Sequence, residues 1–276
     1  MKHFCIYTNK HKDKELAMTK RVRSFLEEKG MTCTVAMAGE ECIPKDADCI
    51  LVLGGDGTML QAARDRDCAK PIPLLGINLG TLGYLTEVEP ENVETALAQL
   101  LAGDYTLESR MMLNGRVEKA DGDCMTGWAL NDIVISKAGS QRVLQFNLYV
   151  NDRLLNRYIA DGMIVTTPTG STGYNLSAGG PIVEPGARLL VLTPICPHTM
   201  NQRSIILAPE DKVVIEIPEG REGQCQMAAV NFDGQAAEIA TGDRVEIMQS
   251  EKTTEFIKLS KAGFLEVLHK KMSDNQ

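Results

Sequence analysis

The stretch that decides the fold is CILVLGGDGT, from Cys49 to Thr58. Its first half, Cys49 to Leu53, is an unbroken apolar run, which is typical of a strand covered on both faces in a parallel sheet. The run leads directly into a glycine turn, Gly54-Gly55-Asp56-Gly57, and we expect a helix to follow from Thr58. Ligands of open α/β sheets bind beyond the carboxyl ends of strands, so this turn is the first candidate site.

Apolar runs and helical patterns alternate on both sides of this stretch. A βαβ rhythm therefore predicts an α/β domain with a parallel sheet over residues 1–103. The expected strands are His3 to Tyr7, Thr32 to Met37 and Pro73 to Ile77, and the expected helices are Asp13 to Lys29, Thr58 to Arg66 and Val93 to Leu101.

After Tyr105 the chain becomes rich in short β-branched segments separated by turn residues, which predicts an all-β, sandwich-like domain over residues 104–250. A last segment, 251–276, has helical spacing from Phe264 to Lys271 and is expected to pack back on the first domain. The predicted strands of the β domain include Trp128 to Ser136, Val143 to Val150, Ile159 to Thr167, Ile205 to Leu207, Lys212 to Ile217 and Ala228 to Asn231.

Composition narrows the function classes. The 276 residues carry a formal net charge of -8, which disfavours nucleic acid or an anionic membrane surface as a partner. The eight cysteines form no C-x-x-C pair, so a zinc site is not expected. Free thiols are expected instead, as in a protein of the reducing cytosol. No apolar stretch approaches the length that spans a bilayer, and a soluble cytoplasmic protein is predicted.

The glycine turn suits phosphate chemistry. Glycines let the backbone approach a ligand closely, and the helix that follows presents free N–H groups to an anion. A carboxylate at Asp56 can accept a proton from an attacking hydroxyl, although an Asp before a helix is also a common cap. Neither this turn nor the second glycine loop, Gly76 to Leu85, matches a P-loop or the ordinary dinucleotide fingerprint.

A second polar loop, Thr166 to Ser177, follows an apolar strand in the β domain. Its hydroxyls and N–H groups suit sugar and phosphate oxygens, and Tyr174 offers a face for a base. Carboxylates that could hold ribose hydroxyls stand at Asp132 and Asp161. The turn Asp233-Gly234-Gln235 is a hairpin candidate that places Gln235 near a ligand.

In order and approximate spacing, these motifs resemble the NAD kinase family. The first turn is shared with lipid kinases and phosphofructokinase-type kinases, whereas the run from Thr167 to Tyr174 is much more specific to NAD kinases. The matching segments are Gly54 to Thr58, Gly80 to Leu85, Asn131-Asp132, Asp161-Gly162, Thr167 to Gly180 and Thr193 to His198.

The resemblance implies an enzyme that transfers the γ-phosphoryl of ATP, or a phosphoryl of polyphosphate, to the 2′-hydroxyl of the adenosine ribose of NAD, with NAD between the two domains. It implies Asp56 as the catalytic carboxylate, Mg²⁺ brought with ATP without a dedicated protein metal site, and a homodimer or homotetramer. The implied binding residues are Gly54, Gly55, Asp56, Gly57, Thr58, Tyr84, Asn131, Asp132, Asp161, Thr172, Gly173, Tyr174, Asn175, Leu176 and Ser177, with Arg142 and Gln235 as weaker carry-overs.

The chain departs from the family pattern at three positions. Asp132 stands where Glu is usual and Gly173 where Ala is usual, which are changes of reach and bulk. Ile159 stands where many members have a basic residue, and either Arg157 or Arg142 is a candidate to replace that cation. A lipid or sugar kinase of the same superfamily and a non-catalytic NAD-binding sensor remain alternative interpretations.

Overall fold

A computed structural model describes residues 1–39, 43–65, 71–80, 83–139, 143–198, 203–260 and 263–273. The chain forms two compact units, one of residues 1–110 with 253–276 and one of residues 111–252. It passes from one unit to the other inside two long strands. The domain limits predicted at 103 and 250 stay predictions, because a division of the chain into compact units does not test them.

The elements are numbered in chain order. The strands are β1 (His3–Thr8), β2 (Thr32–Met37), β3 (Cys49–Gly54), β4 (Leu74–Asn78), β5 (Thr106–Glu118), β6 (Cys124–Ala129), β7 (Asp132–Lys137), β8 (Leu144–Val150), β9 (Arg153–Ala160), β10 (Gly162–Thr166), β11 (Leu190–Ile195), β12 (Ile205–Leu207), β13 (Val213–Glu216), β14 (Met227–Phe232), β15 (Gln235–Ala240) and β16 (Arg244–Lys258). The α-helices are α1 (Ala17–Glu28), α2 (Asp56–Arg64), α3 (Val93–Ala102), α4 (Tyr174–Ser177) and α5 (Phe264–Ser273).

The first unit is built on a parallel sheet in the order β2-β1-β3-β4. Every residue of β3 is buried, as its unbroken apolar sequence predicts for a central strand covered on both faces. At its C-terminal end, β16 runs parallel to β4 through Phe256 and Leu74. Lys258 then pairs with Glu87 at 2.8 Å. The predicted α/β class and the return of the C-terminal segment are therefore confirmed.

The predicted helix over Asp13 to Lys29 is wrong in its first turn. The α-helix begins at Ala17, after a short 3-10 turn in which Glu15 and Leu16 have positive φ. Asp13 lies before the helix, and its carboxylate accepts the N–H groups of Met18 and Thr19, both at 2.9 Å. A carboxylate at a helix start satisfies N–H groups that lack intrahelical acceptors, which is why the charged pattern extends ahead of the helix.

The second unit contains antiparallel strands in two sheets, as predicted. One sheet has the order β12-β11-β10-β7-β14-β15, and the other includes β13 paired with β16 and β8, with β9 on the far side of β8. A shared apolar cluster forms the core of this unit. Phe146 and Tyr158 stack within the core with ring centroids 5.3 Å apart. The sandwich-like β class is confirmed.

Two predicted strands of this unit are each split in two. The segment Trp128 to Ser136 breaks after Ala129, and the segment Ile159 to Thr167 breaks at Asp161. Both breaks place polar residues at strand ends, where their side chains can leave the sheet. Five strands, β5, β9, β11, β15 and β16, were not identified as elements from the sequence.

The described cysteines are free thiols, and these are Cys5, Cys33, Cys49, Cys124, Cys196 and Cys225. Within the described residues, every helix is too short or too polar to cross a bilayer.

Candidate active site

The three glycines of the turn after β3 have different surroundings. A methyl group on Gly54 would lie 2.3 Å from Thr58 Oγ1, so this glycine is needed for packing. Gly55 is the N-cap of α2 in an extended conformation that any residue can adopt. A methyl group on Gly57, inside the first turn of α2, would meet nothing within 4 Å. Packing therefore explains Gly54, whereas only Gly57 has open space around it, because a methyl group on Gly55 would lie 2.7 Å from Lys12 Nζ.

Asp56 is the first residue of α2, and its carboxylate points away from the helix. Oδ2 accepts the N–H of Tyr84 at 2.7 Å, and Oδ1 accepts the N–H of Leu85 at 3.0 Å. A methyl group on Gly83 would lie 1.8 Å from Asp56 Oδ1, so only glycine fits there. The helix-cap interpretation of Asp56 is therefore wrong, because the N-cap is Gly55 and makes no side-chain cap bond. The carboxylate instead joins the two glycine loops.

Lys12 is a cation at this turn that sequence reasoning missed. Its Nζ lies 2.7 Å from where a methyl group on Gly55 would stand and 3.8 Å from the same position on Gly80. The ammonium group is thus placed over both glycine loops, beside the free N–H groups at the start of α2. The position of Lys12 in the sequence could have indicated this role. Lys12 follows β1, which pairs with β3, so it leaves the sheet at the same carboxyl edge as the glycine turn.

Tyr84, a predicted binding residue, contributes its backbone N–H to Asp56. Its ring is covered by the ammonium of Lys271 from α5, 4.2 Å from the ring centroid. Burial, and then the nearby charge of Asp56, raise the pKa of the Tyr84 hydroxyl. The C-terminal helix therefore contacts the second glycine loop directly beside Asp56.

In the second unit, Asn131 and Asp132 lie at the corner between β6 and β7 with unused acceptors. Asn131 Oδ1 is buried and has no hydrogen-bond partner in the described part of the chain. The Asp132 side chain is only 8% exposed, and its carboxylate accepts no hydrogen bond from the described residues. A buried acceptor without a partner, such as Asn131 Oδ1, is costly, so this position suits a ligand that supplies a hydroxyl or amide donor.

The electrostatics of Asp132 follow from this burial. Desolvation, and then the negative charge of Asp233, raise the pKa of Asp132 to about 7. Strongly perturbed pKa values cluster at functional sites, so Asp132 is a candidate binding residue on this ground as well as on its burial.

The loop from Thr167 to Ser177 is tied to the same corner. Thr167 Oγ1 donates to the Leu130 carbonyl at 2.6 Å, and the Thr167 N–H donates to the Asn131 carbonyl at 2.9 Å. A methyl group on Gly173, where the family has alanine, would lie 3.3 Å from the Gly170 carbonyl and 3.4 Å from Asn131 Nδ2. Glycine at position 173 therefore avoids a tight contact with the Gly170 carbonyl.

The predicted role of Asn175 as a reader of polar edges stays a prediction, while its side chain makes hydrogen bonds within the protein. The residue is fully buried, its amide donates to the carbonyls of Ser171 and Pro181, and its Oδ1 accepts from Thr193 Oγ1 at 2.7 Å. These bonds hold the loop in shape. The predicted residues that remain open to solvent are Tyr174 (47% exposed), Leu176 and Ser177, with Thr172 partly covered.

Among the described residues, the cation next to Asp161 is a lysine and not Arg157. Lys137 Nζ, from the adjacent strand β7, lies 2.7 Å from Asp161 Oδ1. Ile159 lines the wall of a 1220 Å³ cleft together with Lys137 and His198. Arg157 lies elsewhere, opposite Asn147 on β8.

The two weaker predictions have different outcomes. Gln235 is exposed at the start of β15, paired with Phe232. Arg142 lies outside the described residues. Sequence reasoning named Gln235 from this turn as a weaker candidate, whereas the neighbouring Asp233 is the residue whose side chain reaches the Asn131–Asp132 corner.

An aspartate in a glycine turn at the carboxyl edge of a parallel sheet, with a lysine over the turn, defines a nucleotide-binding α/β protein of the phosphotransferase class. Comparison with known proteins gives the family. A family model described as the ATP-NAD kinase N-terminal domain matches residues 5–105, and one described as the C-terminal domain matches residues 130–259. The chain belongs to the NAD kinase family.

Full-length relatives agree with this assignment. The chain is 42% identical to a protein named NAD kinase from Lachnospira eligens, with 99% of this chain and 100% of that protein covered. It is 44% identical to one from Agathobacter rectalis, with 99% of each chain covered.

Two solved structures are similar. Yeast NADH kinase complexed with NADH aligns with a TM-score of 0.91 at 20% identity, over all of this chain and 88% of that chain, which supports the fold alone. An NAD kinase from Archaeoglobus fulgidus in complex with ATP aligns with a TM-score of 0.78 at 26% identity, over 99% of each chain.

Proposed function

We propose that the protein transfers the γ-phosphoryl group of ATP to the 2′-hydroxyl of the adenosine ribose of NAD, giving NADP and ADP. The observation that carries the proposal is the Asp56 carboxylate, held by two N–H groups between two glycine loops. In the reaction, an O–P bond forms to the ribose 2′-oxygen while the bond from the γ-phosphorus to the bridging β-γ oxygen breaks.

Asp56 is proposed to accept the proton of the attacking hydroxyl. Its two oxygens each accept one backbone N–H, which fixes the plane of the carboxylate and leaves other lone pairs for the substrate. A positioned carboxylate that removes a proton contributes about 10²- to 10⁴-fold to a rate. The remaining acceleration would come from positioning of the two substrates.

The donor phosphates are proposed to bind at the start of α2. The first N–H groups of that helix lack intrahelical acceptors, Gly57 leaves space in front of them, and Lys12 brings a positive charge over Gly55. Mg²⁺ usually binds through one or two carboxylates and the substrate phosphates, so the turn with Asp56 fits an ion that arrives with ATP. When bound, that ion would offset charge on the donor phosphates.

NAD is proposed to bind at the Asn131–Asp132 corner and the loop behind it. The unused acceptors of Asn131 and Asp132 suit ribose hydroxyls, and the exposed ring of Tyr174 suits stacking with a base. Lys137 beside Asp161 is proposed to supply the cation that Ile159 does not. This assignment also fits NADH, whose adenosine half is identical.

The test compares Asp56→Asn with the surface control Asp104→Asn. Purified proteins are incubated with Mg²⁺, NAD or NADH, and either ATP or inorganic polyphosphate, and the 2′-phosphorylated product is measured. We expect Asp56→Asn to fold and keep its Kd for NAD while kcat falls about a thousandfold. Its melting temperature should fall, because one of the two backbone N–H groups loses its acceptor. In the same assay, Lys12→Met should raise the KM for ATP, whereas Lys14→Met should not. Full turnover by Asp56→Asn would contradict the assignment.

The same assay, repeated with a lipid or a sugar in place of NAD, separates the alternatives. Product formed from a lipid or a sugar, without NADP, would identify another kinase of the superfamily. Binding of NAD without any NADP would identify a sensor. A homodimer or homotetramer and a cytoplasmic location stay predictions, which sedimentation and cell fractionation can test.

A further inference from the structure

The hairpin between β14 and β15 turns at Asp233 and Gly234, both with positive φ, at 46° and 96°. A two-residue Asp-Gly turn of this kind matches the right-handed twist of the strands it joins. Aspartate tolerates a positive φ better than most residues, yet asparagine or glycine would serve the turn equally well. The conformation alone therefore does not explain a carboxylate at this position.

The Asp233 carboxylate binds the backbone of the Asn131–Asp132 corner. Oδ2 accepts the N–H of Leu130 at 2.6 Å, and Oδ1 accepts the N–H of Asp132 at 3.0 Å. The N–H of Asn131 lies between the two oxygens, at 3.1 and 3.2 Å. Three consecutive N–H groups thus converge on one carboxylate, about 100 residues away along the chain.

This contact determines where the unused acceptors lie. The corner joins β6 and β7, which belong to different sheets, and the N–H groups of Leu130 and Asn131 lie outside both strands, so they need another acceptor. With these two and the N–H of Asp132 bound to Asp233, the backbone at residues 130–132 is fixed. The buried Oδ1 of Asn131 and the buried carboxylate of Asp132 are then presented in fixed positions.

We propose that Asp233 is a positioning residue for NAD binding, which holds residues 130–132 so that Asn131 and Asp132 meet the nucleotide. The proposal rests on the proposed function and deepens it, because it assigns nucleotide affinity to a residue that does not contact the nucleotide. Charge matters as well as shape, since hydrogen bonds to an ionised acceptor are stronger than neutral ones.

The second unit offers a matched control in Asp243. Its carboxylate is buried and also accepts two backbone N–H groups, from Ala120 and Ala240, both at 2.9 Å. These bonds tie together a different pair of loops. Asp233→Asn and Asp243→Asn therefore remove the same chemistry, an acceptor oxygen and a charge, from two backbone contacts of the same unit.

The experiment measures the Kd for NAD by calorimetry, the KM for NAD and for ATP, and the melting temperature of both variants. We expect Asp233→Asn to raise the Kd and KM for NAD about tenfold or more, with the KM for ATP unchanged. Asp243→Asn should lower the melting temperature while its Kd for NAD stays within about twofold of wild type.

Two outcomes would overturn the positioning role. One is a folded Asp233→Asn variant with wild-type affinity for NAD, and the other is an equal loss of affinity in both variants. If Asp233→Asn does not fold, Asp233→Glu keeps the charge and moves it by one methylene, and an unchanged Kd for NAD in that variant overturns the role. Wild-type protein that forms no NADP contradicts the proposed function instead.

Discussion

The two glycine loops around Asp56 and the corner at Asn131–Asp132 are opposite solutions to ligand binding. The first presents N–H donors, a lysine and open space, and its aspartate accepts two backbone hydrogen bonds. The second presents acceptors, and in the described part of the chain its Asp132 accepts none. A donor-rich site with room suits phosphate oxygens, whereas buried acceptors suit hydroxyls.

The difference also concerns what each region costs the fold. Glycines in the first region lower the stability of the fold. A glycine leaves the unfolded chain more conformational freedom, and this freedom is lost on folding. The second region is held by buried hydrogen bonds from Thr167, Asn175 and Asp233, and its cost is the unpaired charge of Asp132. Variants that fill space should therefore disturb the first region, and variants that remove charge should disturb the second.

The largest effect is expected from Gly83→Ala. A methyl group at this position would lie 1.8 Å from Asp56 Oδ1, so the carboxylate must leave its two N–H groups. We expect kcat to fall about a thousandfold, as for loss of a positioned base, and the melting temperature to fall as well, because two backbone N–H groups lose their acceptor. Steady-state kinetics check this. Gly263→Ala is the control, because its methyl group would meet nothing within 4 Å, and equal kcat values in the two variants would contradict the prediction.

Asp132→Asn should change the pH dependence of stability. With a folded pKa of about 7 against an ordinary value of 3.8, the folded protein keeps a proton that the unfolded chain has lost between these pH values. Wild-type stability should therefore fall as pH rises from about 4 to 7, by about 2 to 4 kcal/mol from this group.

Asp132→Asn removes that slope, so the variant should be the more stable protein at pH 8 while it binds NAD more weakly. Urea denaturation at pH 5 and pH 8 measures the slope, with Asp104→Asn as an exposed control. If wild type and Asp132→Asn respond to pH in parallel, Asp132 is not the group responsible.

Local patterns predicted the first region better than the second. The apolar run of β3 and the turn after it are adjacent in sequence, so the parallel sheet and the candidate role of Asp56 could be predicted. The partners of that carboxylate, at Tyr84 and Leu85, come from another loop and could not. The cation that Ile159 does not provide was expected from Arg157 or Arg142, but Lys137, on a neighbouring strand, is the cation that lies beside Asp161. Strand pairing brings such residues together, and the amino-acid composition does not show which strands pair.

Gly57→Ala should have the smallest effect, and the directions of its effects on stability and on the KM for ATP are both informative. No positive φ requires glycine here, and a methyl group would meet nothing within 4 Å, so alanine should stabilise the first turn of α2 by about 0.5 to 1 kcal/mol. The same methyl group would occupy space in front of the helix N–H groups, so the KM for ATP should rise severalfold while the Kd for NAD stays unchanged. Chemical denaturation and kinetics on one preparation measure both quantities. If alanine stabilises the protein and leaves the KM for ATP unchanged, the open space at position 57 does not serve the donor phosphates.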